Sequence, residues 1–87
     1  MLYEKGKNYM IRTVTMIYTG RLVQETKTEL VLDKCCWIAE TERWATSCKT
    51  GEFKEVEPYP EKAKIIIMKG AVLDMFKVDW KLPKDQK

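Results

Sequence analysis

Tyr18-Thr19-Gly20-Arg21-Leu22-Val23 and Ile65-Ile66-Ile67-Met68-Lys69-Gly70-Ala71-Val72-Leu73 are the stretches whose reading decides the fold. Each is a run of strand-forming residues with a single glycine inside it. A glycine within a strand weakens it unless it permits a sharp bend or a close backbone approach. Two such bends in 87 residues predict a sheet that curls on itself into a small barrel.

Working outward from Gly20, the run from Tyr9 to Glu25 is rich in Tyr, Ile, Thr, Val and Met. It reads either as two strands, Tyr9–Val14 and Met16–Glu25, or as one long bent strand, because the turn near Thr13–Thr15 has no glycine or asparagine. After a polar loop, Leu30–Ala39 predicts a third strand. Strict alternation puts Leu30, Leu32, Cys36 and Ile38 on one face and Val31, Asp33, Cys35 and Trp37 on the other, with Lys34 breaking the apolar side.

The pattern then changes. Thr41 to Gly51 predicts a short helix with Thr41 placed to cap its start and Gly51 its end. Trp44 and Cys48, four residues apart, would share a face, and Trp44 is expected to pin the helix to the sheet. Pro58 and Pro60 mark Phe53 to Lys62 as an extended connector. Working outward from Gly70, Ala63–Lys69 and Ala71–Val78 give strands four and five. The expectation is one mainly β domain over 1–87. It has a polar lead-in at 1–8, five strands, a helix-plus-proline insertion at 40–62 between strands three and four, and a charged tail at 81–87.

Composition narrows the function. Charged residues are 33% and apolar ones 45%, values typical of a globular chain and wrong for a disordered one. Sixteen Lys and Arg against thirteen Asp and Glu leave +3, which permits an anionic partner without demanding one. No apolar run approaches membrane-spanning length, and Met1-Leu2-Tyr3-Glu4-Lys5 lacks the apolar segment of an export signal, so a cytoplasmic protein is expected. Three cysteines, Cys35, Cys36 and Cys48, with no CxxC pair and no histidine, argue against a metal site and for small apolar side chains in a reduced interior. The same lack of histidine, with carboxylates scattered among lysines, leaves no reaction motif, and the protein is expected not to be an enzyme or to need a cofactor.

The order of these motifs resembles the Sm-like (LSm, Hfq-type) small barrel. Gly20-Arg21-Leu22-Val23, the loop Gln24 to Glu29 and Leu30-Val31-Leu32-Asp33 are similar to the first motif of that family. Ile65 to Leu73, with Lys69-Gly70 at its centre, is similar to the second. The resemblance implies a five-stranded, strongly bent barrel, assembly of identical subunits into a ring, and nucleotide or RNA binding; a monomer whose inserted helix or Trp80-Lys81-Leu82-Pro83 covers the strand edge is the competing picture. The loop 24–29 lacks the Asp and Asn that hold a base in the family, and Lys69 stands where the family has arginine. The chain also resembles small uncharacterised proteins of tailed bacteriophages, notably from Lys49-Thr50-Gly51 through Glu55-Val56-Glu57-Pro58.

The candidate site follows from that resemblance. Lys27 and Lys69-Gly70 would lie on the same side of such a barrel, lysine supplying charge to a phosphate and Gly70 letting the ligand approach the backbone. Trp37, Trp44 and Tyr59 are the candidate base-stacking aromatics, with Arg43 beside Trp44 adding charge. Core packing is the competing role for both tryptophans, and a solvated loop charge for Lys27. Lys69→Glu is expected to abolish binding and leave the fold intact. Two functions follow. One is a ring that holds a phosphate-bearing nucleotide, either short RNA or a cyclic nucleotide immune signal that it sequesters. The other is a protein-interaction module that inhibits a host defence complex, with Trp37, Trp44 and Tyr59 as anchors.

Overall fold

The computed structural model describes residues 3–87. The strands are β1 (Asn8–Thr13), β2 (Ile17–Glu25), β3 (Glu29–Thr41), β4 (Phe53–Pro58), β5 (Ile65–Met68) and β6 (Val72–Lys77), with helix α1 (Trp44–Thr50) between β3 and β4. They form one antiparallel sheet in the order β4-β3-β2-β1-β6, and β5 pairs with β3. The long β3 therefore carries β2 on one side and, on the other, β5 along Glu29–Leu32 and β4 along Cys36–Thr41. A three-residue 3-10 turn, Lys69–Ala71, links β5 at one edge of the sheet to β6 at the other. Among the described residues no ladder joins β5 to β6, so hydrogen bonding does not close the sheet there.

The chain is mainly β with one short helix, as its composition and alternation imply. The expected five strands are six. Phe53–Pro58, read as a connector, is a strand: its two internal positions Phe53 and Val56 are buried and its proline falls at the strand's last residue, opposite Cys36. A terminal proline on an edge strand forfeits no essential ladder bond. The bend between β1 and β2 resolves as a tight turn. There Thr13 N–H donates to the Met16 carbonyl at 2.8 Å, and the Thr13 hydroxyl bonds both Met16 backbone groups.

β3 does not alternate strictly. Thr19 pairs with Cys36 and Arg21 with Asp33, so Gly20 alone faces the two residues Lys34 and Cys35. Lys34 has φ +49°, left-handed, at the first residue of this bulge. One extra residue shifts the phase by one, and every later side chain changes face. Leu30, Leu32 and Cys35 consequently join one cluster with Tyr9, Ile11, Leu22 and Ile67, whereas Cys36 and Ile38 join another with Met10, Phe53, Val56 and Val78. The expected grouping of Cys36 and Ile38 with Leu30 and Leu32 is overturned by this bulge. Neighbouring β1 residues divide the same way, Tyr9 and Ile11 to one cluster and Met10 to the other, so the two clusters lie on opposite faces of the sheet.

The second cluster is roofed by the insertion and by the segment after β6. Helix α1 begins after Arg43, not Thr41, which is the last residue of β3, and no side chain caps it. Gly51 ends it as expected, with φ +76° and its N–H donating to the Ser47 carbonyl at 2.8 Å. The helix is held through buried Ser47, whose hydroxyl donates to the Glu52 carbonyl and accepts from the Glu42 N–H, and through Trp80. Trp44 does not pin it and stays 42% exposed.

Gly20 and Gly70 differ in kind. A Cβ on Gly20 would meet Leu32 Cβ at 3.2 Å and the Asp33 carbonyl oxygen at 3.3 Å, so close approach of β2 to the β3 bulge requires the small residue. Gly70 lies in the 3-10 turn, with ordinary φ and open space around its missing Cβ. The chain turns there, but not because of glycine.

Candidate functional site

The seven residues singled out from sequence fall in separate places. Lys27 is exposed in the β2–β3 loop, and the Lys69 N–H donates to the Thr28 carbonyl at 2.8 Å, which brings that loop and the 3-10 turn together as expected. The Lys69 ammonium, however, is paired with Glu25, whose side chain is only 8% exposed, and it lies 5.7 Å from the centre of the Tyr3 ring. It is a structural counter-ion. Gly70 beside it is exposed.

Arg43 and Trp44 sit at the start of α1, where the Trp44 ring meets the Arg12 guanidinium at 5.3 Å. Arg12 in turn makes a two-pronged pair with Asp74. Trp37, partly exposed, stands between Tyr18 of β2 and Glu57 of β4 in the sheet register. Tyr59, just past β4, is half-buried against the first cluster, and its N–H donates to the Cys35 carbonyl at 3.0 Å.

Of these seven, Tyr59 lines a cleft of about 860 Å³. Its charged lining is Arg21, Lys34, Lys81 and Lys84 against a single carboxylate, Glu61. The elements explain the clustering. The β3 bulge leaves Lys34 exposed, β2 supplies Arg21 opposite the neighbouring Asp33, and the segment following Trp80 adds Lys81 and Lys84 to the lining. Arg21 is already engaged by Asp33, through Nε to Oδ1 at 2.9 Å and Nη2 to Oδ2 at 2.6 Å. That pairing, with Lys34 and Lys64 nearby, holds the Asp33 carboxyl below its usual range. Among the described residues no carboxylate pairs with Lys34, Lys81 or Lys84.

Sequence reasoning passed over these residues. Lys34 registers there only as a break in an apolar face, Lys81 only within a segment that could cover the sheet edge, and Lys84 only as part of a charged tail. The signal for the tail was Trp80 and Pro83, large and rigid residues that a solvated tail does not need.

The cleft also exposes the edge of the cysteine pair, but the thiols are poor nucleophiles. Burial pushes the Cys35 thiol up to about 12, and burial raises Cys36 as well. Cys36 Sγ donates to the Pro83 carbonyl at 3.2 Å. Tyr59 is likewise raised, first by burial and then by Tyr18, so its phenol stays neutral. What the arrangement offers is fixed positive charge beside a neutral aromatic wall: it can hold an anion with an apolar or aromatic body. No group of three or more His, Cys, Asp or Glu side chains suited to a metal ion occurs among the described residues. No helix among them is long and apolar enough to cross a membrane.

No family model matches the sequence, no curated protein matches it, and no solved structure matches the fold.

Proposed function

We propose that this protein is a non-catalytic binding module for a phosphate-bearing nucleotide, held in the cleft between the β3 bulge and the segment after Trp80. One observation carries the reading: Lys34, Lys81 and Lys84 converge unpaired on a cleft of about 860 Å³ whose wall includes Tyr59. Ammonium groups bind phosphate as point charges, and an aromatic face accepts any base. A lack of histidine and the raised thiols favour binding over catalysis. A cleft of this size suits a short oligonucleotide or cyclic nucleotide better than a long RNA, which needs a continuous basic track. In this reading the ligand is an immune signal sequestered in the cytoplasm of a phage-infected host.

The Sm-like, ring-forming part of the reading rests on two observations. The 3-10 turn spans the two edges of the sheet, and those edges, β5 and β6, expose Ile66, Met68, Leu73 and Phe76. Unpaired apolar edges favour edge-to-edge association of identical subunits.

The test is titration of the purified protein with cyclic dinucleotides and, separately, short oligoribonucleotides, read by calorimetry and by melting temperature. A dinucleotide that raises the melting temperature and is recovered intact supports the proposal; no heat and no shift with either ligand refutes it. A second reading, a protein-interaction module, is favoured by Trp44, exposed and stacked on Arg12, together with exposed Trp37. It predicts a host protein that co-purifies and is lost on Trp44→Ala.

A further inference from the structure

We propose that the segment Asp79–Lys87 forms one wall of the binding site, and that its docking is coupled to anion binding. Trp80 anchors the segment, and Lys81 and Lys84 carry the charge. The inference rests on the anion-binding reading above and adds to it which residues close the site.

Three residues, Trp80, Pro83 and Lys87, anchor the segment, and Gln86 Nε2 donates to Glu57 Oε1 at 3.3 Å. The Trp80 ring sits over Gly51, and its Nε1–H donates to the Cys48 carbonyl at 2.9 Å, while Phe53 meets the ring edge-on with centroids 5.8 Å apart. The Pro83 carbonyl accepts from Cys36 Sγ. Further along, Val56 and Lys87 exchange two backbone hydrogen bonds of 2.9 Å, so the segment ends as a one-residue addition to the free edge of β4. Between these anchors lie Lys81 and Lys84, which line the same cleft as Lys34 and Arg21.

With no anion present, Lys34 repels Lys81 and Lys84, Arg21 being neutralised by Asp33, and this repulsion opposes docking. A phosphate between them reverses the sign: each wall is then attracted to the shared anion, and each charge-assisted contact favours the docked segment. Linkage makes the coupling reciprocal, so whatever tightens the segment raises affinity for the anion. Trp80 is a positioning residue here; it reaches no ligand itself.

The experiment uses the full chain and inorganic pyrophosphate, with sodium chloride at matched ionic strength as the control. Hydrogen exchange is followed at the Lys87 and Val56 amides, which bond each other's carbonyls, and at the Thr13 amide, which bonds the Met16 carbonyl in the β1–β2 turn away from the cleft. Pyrophosphate, but not chloride, is expected to slow exchange at Lys87 and Val56 by about tenfold and to leave Thr13 unchanged. The double variant Lys81→Ala/Lys84→Ala, at two exposed positions, is expected to melt no lower than the parent, since it relieves the repulsion, and to lose about tenfold in pyrophosphate affinity. Binding that leaves Lys87 exchange unchanged, or equal affinity in the double variant, overturns the coupling while anion binding stands. Absence of pyrophosphate binding to the parent overturns the binding reading and the coupling with it.

Discussion

Gly51 and Trp80 interlock: a Cβ placed on Gly51 would lie 2.3 Å from an indole carbon of Trp80. The same glycine has φ +76°. Helix α1 therefore ends on a residue whose lack of a side chain serves two purposes, a left-handed cap and a seat for the ring. Left-handed backbone costs about 1–2 kcal/mol for a residue with a Cβ, and the ring must also move. Gly51→Ala is expected to destabilise the protein by about 2 kcal/mol or more. Urea unfolding followed by tryptophan fluorescence checks this, with a native emission shift reporting the displaced indole.

The two motif glycines should respond oppositely. Gly20→Val forces atoms against Leu32 and the Asp33 carbonyl and should cost about 3 kcal/mol. Gly70→Ala meets open space and needs no unusual φ, so it should be neutral or stabilise by up to about 0.5 kcal/mol by restricting the unfolded chain. Melting curves of both variants decide it; equal losses would mean that the 3-10 turn carries a constraint comparable to the bulge.

Lys34 pairs a strained backbone with an unpaired charge, so stability and binding should separate there. Lys34→Gly removes the left-handed penalty and is expected to raise unfolding free energy by about 0.5–1 kcal/mol, net of the added freedom of the unfolded chain. Affinity for pyrophosphate should fall in the same variant. Denaturation and calorimetry on one preparation test both signs.

Lys69→Glu, which sequence alone presents as a clean binding mutant, is expected to damage the fold. It sets a carboxylate against Glu25, whose side chain is almost fully buried and has one oxygen, Oε1, with no partner. Removing a partner from a buried pair costs about 3–5 kcal/mol, less here because the lysine is partly exposed; a loss of about 2 kcal/mol is expected. Lys27→Ala, at an exposed loop position, should leave the melting temperature unchanged.

The pH dependence has two flanks. Burial raises the Cys35 thiol from 9.0 to about 12, so the folded state favours the protonated form. Its contribution is complete below pH 9 and is lost as pH rises from there through about 12. On the acid side, Arg21 lowers Asp33 and Arg12 lowers Asp74 from 3.8, so their contributions are present above that value and disappear as pH falls through the depressed folded values. Urea midpoints across pH should show a plateau from about 5 to 8 and decline on both sides. Native Cys35 should resist iodoacetamide at pH 8 and react on unfolding.

Much of the architecture was legible because alternation and β-branched content mark β1, β2, β3, β5 and β6 directly. Two features were not. β4 hides behind Pro58 and Pro60, whose ordinary meaning is a break; only the buried pair Phe53 and Val56 separates an edge strand from a connector. The phase of β3 hides in Lys34. Strict alternation cannot put Leu32 and Cys35, three residues apart, in one cluster, and the left-handed Lys34 between them is what allows it. The cleft was harder still. Its cations come from β2, β3 and the segment after Trp80, residues far apart in sequence that only the folded register gathers.

The Lys34 bulge also sets how the chain can change length. Deleting that one residue would leave Leu32 and Cys35 two positions apart, so strict alternation would keep Cys35 in the first cluster and Cys36 and Ile38 in the second. Adding one residue there would instead shift the phase again and exchange those faces. The chain should therefore accept the loss of Lys34 far more readily than the gain of a residue between Asp33 and Cys36.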